Sequence, residues 1–132
     1  MEITVSKENG RVPVTVMHLD GNLDGSSYEA FEAQAEALVA DGTRRLLVDL
    51  SHAPFVSSAG LRALHTVFLL LRKHSPDVSD DEMHRQINAG TYKSPQLKLL
   101  NPSEGAAKTL RTTGLDMYLE IHSDLQQAIQ SF

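Results

Sequence analysis

Two adjacent serines, Ser57 and Ser58, are the residues of this sequence best suited to do chemistry. They follow the apolar run 46–50 and open a segment whose apolar residues recur at helical spacing. A hydroxyl at the start of a helix lies beside free backbone N–H groups and the positive end of the helix dipole. One serine can cap such a helix while the other faces solvent and carries a phosphate. The pattern therefore favours a phosphate-bearing hydroxyl over a reacting one.

The order strand, turn, serine, helix also occurs in the nucleophile elbow of hydrolases, which requires Gly-x-Ser-x-Gly. Val56 lies where that motif needs a glycine before Ser58, and Phe55 lies there if Ser57 is the serine. No phosphate-binding or dinucleotide-binding glycine motif is present. The six histidines do not form a metal-binding spacing. We therefore expect no enzymatic activity, no metal and no cofactor.

Two aspartates follow or end predicted strands and are further candidates for the site. Asp24 comes after Gly21-Asn22-Leu23, and Asp49 lies near the end of the strand 46–50. In parallel sheets, functional loops gather outside the carboxyl ends of the strands. Asp24, Asp49 and Ser58 are therefore candidates to share one surface. The alternative is that Asp24 only shapes a turn and Asp49 only organises a loop.

Hydropathy patterns predict the elements that position these residues. Alternating apolar residues around Asn9-Gly10 predict a β-hairpin of about 2–7 and 11–19. The next predicted elements are a helix from a Ser26–Glu29 capping box to Gly42, the buried strand 46–50 and a helix 58–73, in which Arg72 and Lys73 favour the dipole at the C-terminus. They are followed by a strand 97–100, a helix from Asn101 to about Gly114, a strand 117–121 and a helix capped by Ser123. Their alternation predicts an α/β fold with a mostly parallel sheet, an antiparallel N-terminal hairpin and about four helices.

The length of 132 residues predicts a single domain over 1–132. Residues 74–96 interrupt the alternation of strands and helices with a polar insertion, in which 83–88 forms one or two helical turns. A connection of this length is unusual in a compact domain. We favour a mobile or partly ordered surface loop over a dedicated binding element.

Composition excludes several classes of protein. The chain is 41% hydrophobic and 22% charged with a net charge of −5, and it has no basic stripe, so we expect no nucleic-acid partner. The absence of cysteine excludes disulfides and zinc–thiolate sites. The apolar stretches are too short for membrane insertion, and the first twenty residues lack the apolar segment of a signal peptide. We therefore expect a cytoplasmic protein.

The chain resembles the STAS domain of bacterial anti-sigma factor antagonists. The resemblance rests on the segments Leu-Asp-Gly-Asn-Leu-Asp at 19–24, Leu-Val-Asp-Leu-Ser at 47–51 and Phe-Val-Ser-Ser-Ala-Gly-Leu-Arg at 55–62. It covers most of the chain outside 74–96. The combination of segments is specific, whereas each segment alone is weak.

The resemblance implies a STAS-like fold and a cytoplasmic switch protein without catalytic activity. In that family the unphosphorylated protein binds an anti-sigma factor, often also a serine kinase, and so releases a sigma factor. The kinase phosphorylates the serine at the start of the second helix, and a serine phosphatase resets the switch. Ser58 matches that serine. Many members carry Asp immediately before it, whereas this chain has a second serine, Ser57, there, so Ser57 is the alternative site of phosphorylation. The implied partner-binding residues are Asp24, Ser57, Ser58, Ala59, Gly60, Leu61 and Arg62. The alternative function is a STAS scaffold or ligand-binding module of a transporter or sensory complex.

Overall fold

The N-terminal hairpin is the edge of the sheet in the computed structural model, which describes residues 1–132. Strand β1 (Glu2–Asn9) pairs antiparallel with β2 (Pro13–Asp20), from Glu2 opposite Asp20 to Asn9 opposite Pro13. The predicted hairpin is confirmed, with each strand extending slightly beyond its predicted bounds.

Three further strands continue the sheet in parallel. They are β3 (Leu46–His52), β4 (Leu97–Leu100) and β5 (Ile121–His122), and the strand order is β1-β2-β3-β4-β5. Every residue of 46–50 is buried, as expected for a strand covered on both faces. The predicted α/β fold with an antiparallel edge hairpin is confirmed.

The predicted strand 117–121 is wrong. Residues Leu115–Met117 form a 3₁₀ turn, η1, and only Ile121 and His122 pair with β4. Leu115 and Leu119 are both buried and lie four residues apart, a helical spacing, and the backbone N–H of Leu119 donates to the carbonyl of Leu115. Burial of these two leucines on one side therefore favours a turn over an extended strand.

Helices cover the two faces of the sheet unequally. The helices are α1 (Tyr28–Ala40), α2 (Ser58–His74), α3 (Asp80–Ala89), α4 (Glu104–Thr113) and α5 (Leu125–Gln130). The main core of 26 buried residues includes the apolar faces of α1 and α2, while α5 covers a cluster of six on the opposite face. None of the helices combines the length and apolar character needed to cross a bilayer.

Three predicted helix starts are displaced by one or two residues. The N-cap is Ser27 instead of Ser26, Ser103 instead of Asn101, and Asp124 instead of Ser123. Asn101 has a positive φ of 56° at the end of β4, so the chain turns there before the helix begins. The hydroxyl of Ser103 accepts from the backbone N–H of Ala106 at 3.1 Å and donates to the carbonyl of Pro54 at 2.9 Å, which ties α4 to the loop before α2.

Much of the insertion 74–96 is a helix rather than the predicted surface loop. Ser79 caps α3, and Gly90 ends it in the left-handed conformation. Met83 on α3 and Tyr92 after it are 5% and 2% exposed and belong to the main core. The insertion is polar overall, but these two side chains, together with the partly buried Val78 and Ile87, pack it against the domain.

Candidate functional site

The two loops that carry the predicted site residues meet at the carboxyl edge of the sheet. Leu23 and Val56 form an isolated parallel bridge. The backbone N–H of Leu23 donates to the carbonyl of Phe55, and that of Ser57 donates to the carbonyl of Leu23, both at 3.0 Å. These hydrogen bonds place Asp24 beside the start of α2. The two loops are therefore adjacent, and a surface shared by Asp24 and Ser58 stays a prediction.

Gly60 allows this close approach of the two loops. A Cβ atom at position 60 would lie 2.4 Å from the backbone oxygen of Leu23 and 3.0 Å from side-chain atoms of Leu23 and Val56. No side chain fits at that distance from a backbone atom. The glycine of the Ser-Ser-Ala-Gly-Leu segment is therefore required by packing, and it contributes to the site by shaping it.

The two serines have different environments. Ser57 is the N-cap of α2, half-buried, and its hydroxyl accepts from the backbone N–H of Gly60 at 3.3 Å. Ser58 is the first helical residue and is exposed. The sequence pattern allows either serine to be the cap, and the structure assigns that role to Ser57. Ser58 is therefore the serine left open to solvent.

The side chain of Asp24 shapes its own loop. Its Oδ1 accepts from the hydroxyl of Ser26 at 2.6 Å and from the backbone N–H of Ser26 at 2.9 Å. These two hydrogen bonds hold the pKa of Asp24 below its ordinary value. The interpretation of Asp24 as a turn residue is confirmed, and its carboxylate is ionised at neutral pH.

Asp49 does not share this surface, so that expectation is wrong. Side chains alternate along β3, which directs Val48 and Leu50 into the main core and Asp49 to the opposite face. There the Oδ2 of Asp49 lies 2.8 Å from Nδ1 of His18, whose Nε2 lies 3.1 Å from the hydroxyl of Ser6. Asp49 is therefore part of a hydrogen-bonded chain across three strands.

The second oxygen of Asp49 organises the end of β3. Its Oδ1 accepts from the backbone N–H and the hydroxyl of Ser51, at 2.9 and 2.6 Å. Burial alone would raise the pKa of Asp49, but the bonds from Ser51 and the pairing with His18 outweigh it and lower the pKa. The alternative interpretation of Asp49 as a loop organiser is confirmed.

A cavity of about 490 Å³ opens beside Ser58, between α2 and η1. It is lined by Ser58, Leu61, Arg62, His65, Thr113, Leu115 and Tyr118. Nδ1 of His65 lies 2.7 Å from the hydroxyl of Tyr118. Partial burial lowers the pKa of His65 and raises that of Tyr118, which favours the uncharged form of both side chains.

Sequence reasoning missed this cavity. The signal that was available is the spacing of Ser58, Arg62 and His65 along α2, which places them on one helix face. Leu115 and Tyr118 come from a segment far along the chain, so no local pattern connects them to Ser58. Phe55 does not line the cavity, but it lies shortly before Ser58 in the chain and is 54% exposed.

The predicted partner-binding residues divide by exposure. Ser58 and Arg62 are exposed, Asp24, Ser57 and Ala59 are half-buried, and Gly60 and Leu61 are buried. The buried pair supports the surface from beneath, although Leu61 also lines the cavity. No group of three or more His, Asp or Glu side chains is placed to hold a metal ion.

Comparison with known proteins gives consistent results. The family model of the STAS domain matches residues 4–78. BtrV of Bordetella bronchiseptica, which is named as an anti-sigma factor antagonist, is 34% identical over 73 residues, or 55% of this chain and 60% of BtrV. That match therefore spans less than two thirds of the relative.

Solved structures of low identity have the same fold. An anti-sigma factor antagonist from Mycobacterium paratuberculosis superposes with a TM-score of 0.69 at 22% identity, covering 98% of this chain and 93% of the other. SpoIIAA in its unphosphorylated form gives 0.66 at 18% identity, covering 96% and 93%. The phosphorylated form of the Bacillus cell fate determinant SpoIIAA gives 0.64 at 17% identity, covering 97% and 96%.

Proposed function

Because this chain belongs to the STAS domain family, we propose that it is an anti-sigma factor antagonist. It binds an anti-sigma factor, and a sigma factor is released as a result. The observation that carries this proposal is the exposed hydroxyl of Ser58 at the N-terminus of α2, held beside the Asp24 loop by the Leu23–Val56 bridge. The similarity to BtrV supports the same function.

The proposed switch is phosphorylation of Ser58 by an anti-sigma factor that is also a serine kinase, reversed by a serine phosphatase. Ser57 is the less suitable acceptor, because its hydroxyl caps the helix and is half-buried. The proposed partner surface comprises the exposed residues Phe55, Ser58 and Arg62 and the half-buried Asp24.

Phosphorylation of Ser58 is expected to act on binding rather than on folding. A phosphoserine adds about −1.5 to −2 charges at neutral pH. The N-terminus of a helix tolerates an anion, so the domain stays folded. Against the partner, the same group is desolvated and faces acidic or apolar atoms, at a cost of several kcal/mol. About 3 kcal/mol corresponds to roughly a hundredfold loss of affinity.

The experiment is an affinity capture from a lysate of the native organism with matched charge variants as bait. Ser58→Asp adds a negative charge at the start of α2. Ser79→Asp adds the same charge at the start of α3, where aspartate is also a good N-cap. Bound proteins are identified by mass spectrometry, and circular dichroism verifies that each bait is folded.

The proposal predicts that wild type and Ser79→Asp retain an anti-sigma factor with a kinase domain, and that Ser58→Asp loses it. An anti-sigma factor retained equally by all three baits contradicts the switch at Ser58 but leaves the antagonist function intact. A transporter or sensory-complex protein retained equally by all three contradicts the antagonist function and supports the scaffold alternative.

A further inference from the structure

We propose that the cavity between α2 and η1 receives an acidic side chain of the partner, which pairs with Arg62, and that a phosphate on Ser58 displaces it by pairing with Arg62 itself. The proposal rests on the proposed function, because it uses the same partner and the same serine. It specifies the chemistry of the contact and a second role for the phosphate.

The positive charge of Arg62 in the cavity indicates an acidic occupant. Arg62 carries the only full charge among the seven lining residues, because partial burial favours the uncharged forms of His65 and Tyr118. Arg62 is exposed and forms no salt bridge with a carboxylate of its own chain. Leu61 and Leu115 provide an apolar wall beside it. An aspartate or glutamate of the partner complements this combination of one cation and an apolar wall.

The spacing of Ser58 and Arg62 places a phosphate on Ser58 beside Arg62, the residue that would otherwise pair with the partner's carboxylate. The two residues are four apart on α2 and are therefore neighbours on the helix surface. A guanidinium donates two parallel hydrogen bonds to phosphate oxygens as readily as to a carboxylate. Phosphorylation adds about −1.5 to −2 charges and so changes the net charge of the lining residues from +1 to about −0.5 to −1, which repels a partner carboxylate.

This mechanism differs from a simple electrostatic block at Ser58. In a simple block, the added charge alone prevents binding and Arg62 plays no part. Here Arg62 contributes in both states: it attracts the partner before phosphorylation and holds the phosphate afterwards. Substitution of Arg62 therefore separates the two mechanisms.

The first test examines the phosphorylated chain alone and needs no partner. Phosphoserine is introduced at position 58 during translation, in wild type and in Arg62→Gln, and the second pKa of the phosphate is measured by ³¹P NMR titration. A guanidinium beside the phosphate stabilises the dianion, so the pKa is expected to be lower in wild type than in Arg62→Gln. Equal pKa values would overturn the pairing of the phosphate with Arg62.

The second test measures affinity for the captured anti-sigma factor. Arg62→Glu is expected to weaken binding at least about tenfold, and Arg62→Lys, which keeps the charge but loses the paired hydrogen bonds, to weaken it less than Arg62→Glu. Arg11→Glu makes the same change of charge in the exposed β1–β2 turn. This turn lies at the amino end of β2, away from the site at the carboxyl ends of the strands, so the variant is expected to bind as wild type. Circular dichroism verifies that each variant is folded.

The outcomes separate the two proposals. If Ser58→Asp abolishes binding while Arg62→Glu binds as wild type, the acidic contact at Arg62 is overturned and the proposed function stands. If wild type binds no anti-sigma factor, the proposed function fails, and the acidic contact fails with it. The NMR titration still decides whether Arg62 holds the phosphate.

Discussion

The two ends of α2 each carry an arginine, and the two arginines have opposite roles. Arg62, in the first turns, is exposed and has no carboxylate partner in the chain. Arg72, near the C-terminus, is only 4% exposed. Its Nη1 donates to Asp77 and to the hydroxyl of Tyr92, and its Nη2 donates to the carbonyl of Val78 and to Asp80.

The difference shows which end of the helix is available for binding. A buried guanidinium is tolerated only when its donors are satisfied, and Arg72 uses them to connect α2 to the segment before α3. Burial alone would lower the pKa of Arg72, but hydrogen bonds with Tyr92 and Asp80 outweigh that effect and raise it. An exposed guanidinium keeps its donors for another molecule. The C-terminal end of α2 therefore serves the fold, and the N-terminal end presents a surface.

Loss of Arg72 is expected to cause the largest effect. Arg72→Met leaves the hydroxyl of Tyr92 and the carboxylate of Asp77 without their cation, and the expected loss is about 3 kcal/mol in the free energy of unfolding. Urea unfolding measures this quantity. Arg62→Met, on the same helix, is expected to change it by less than about 0.5 kcal/mol. Similar values for the two variants would contradict the division of α2 into a structural end and a binding end.

Gly60→Ala tests how much the close packing of Gly60 against the Leu23 loop, at the N-terminal end of α2, contributes to stability. The new methyl group collides with the backbone oxygen of Leu23, so the expected loss is about 2 kcal/mol in the free energy of unfolding. Gly105→Ala is the matched control, because nothing lies within 4 Å of a Cβ atom at that helical position. That control is expected to be neutral or stabilising. A stable Gly60→Ala variant would show that the two loops can separate at little cost.

The two serines are expected to respond differently to alanine. Ser57→Ala removes the helix cap and is expected to lower the free energy of unfolding by about 1 kcal/mol. Ser58→Ala removes an exposed hydroxyl and is expected to change it by less than about 0.5 kcal/mol. Thermal unfolding of both variants measures the difference. If Ser58→Ala were the less stable protein, the assignment of the cap to Ser57 would be wrong.

The smallest expected effect concerns His65 in the cavity. Because burial lowers the pKa of His65 in the folded state, the unfolded chain binds a proton more readily, and stability is lost as pH falls below the unfolded pKa of about 6.5. The ring is partly solvated, so we expect less than about 0.5 kcal/mol between pH 7 and 5. NMR titration is expected to give His65 a pKa below 6.5, and a value at or above 6.5 would contradict its partial desolvation in the cavity.

Patterns among neighbouring residues predicted most of the fold and the pair of serines at the start of α2. The hairpin, the strands 46–50 and 97–100 and the helix beginning at Ser58 follow from hydropathy periodicity and turn residues over a few neighbouring positions. The serine segment was recognisable for the same reason. The helix starts were less accurate, because several polar residues near each start can serve as the cap.

Other features depended on contacts between distant segments. Arg72 is predicted to favour the helix dipole, but in the fold Asp77, Asp80 and Tyr92 surround it. Asp49 lies near the end of a strand as predicted, yet strand alternation directs it away from Ser58. The insertion 74–96 is polar in sequence, yet Met83 and Tyr92 join the main core and Arg72 bonds to Asp77 from outside the segment.

The sequence by itself determined the hairpin, the strands 46–50 and 97–100 and the position of a serine pair at a helix start, because these depend on residues adjacent in the chain. Only the tertiary structure decided which serine is free, why position 60 must be glycine and which residues form the cavity around Arg62. Those features depend on the pairing of Leu23 with Val56 and on the packing of η1 against α2. Such contacts join residues far apart in the chain, and their geometry is set when the sheet and helices assemble.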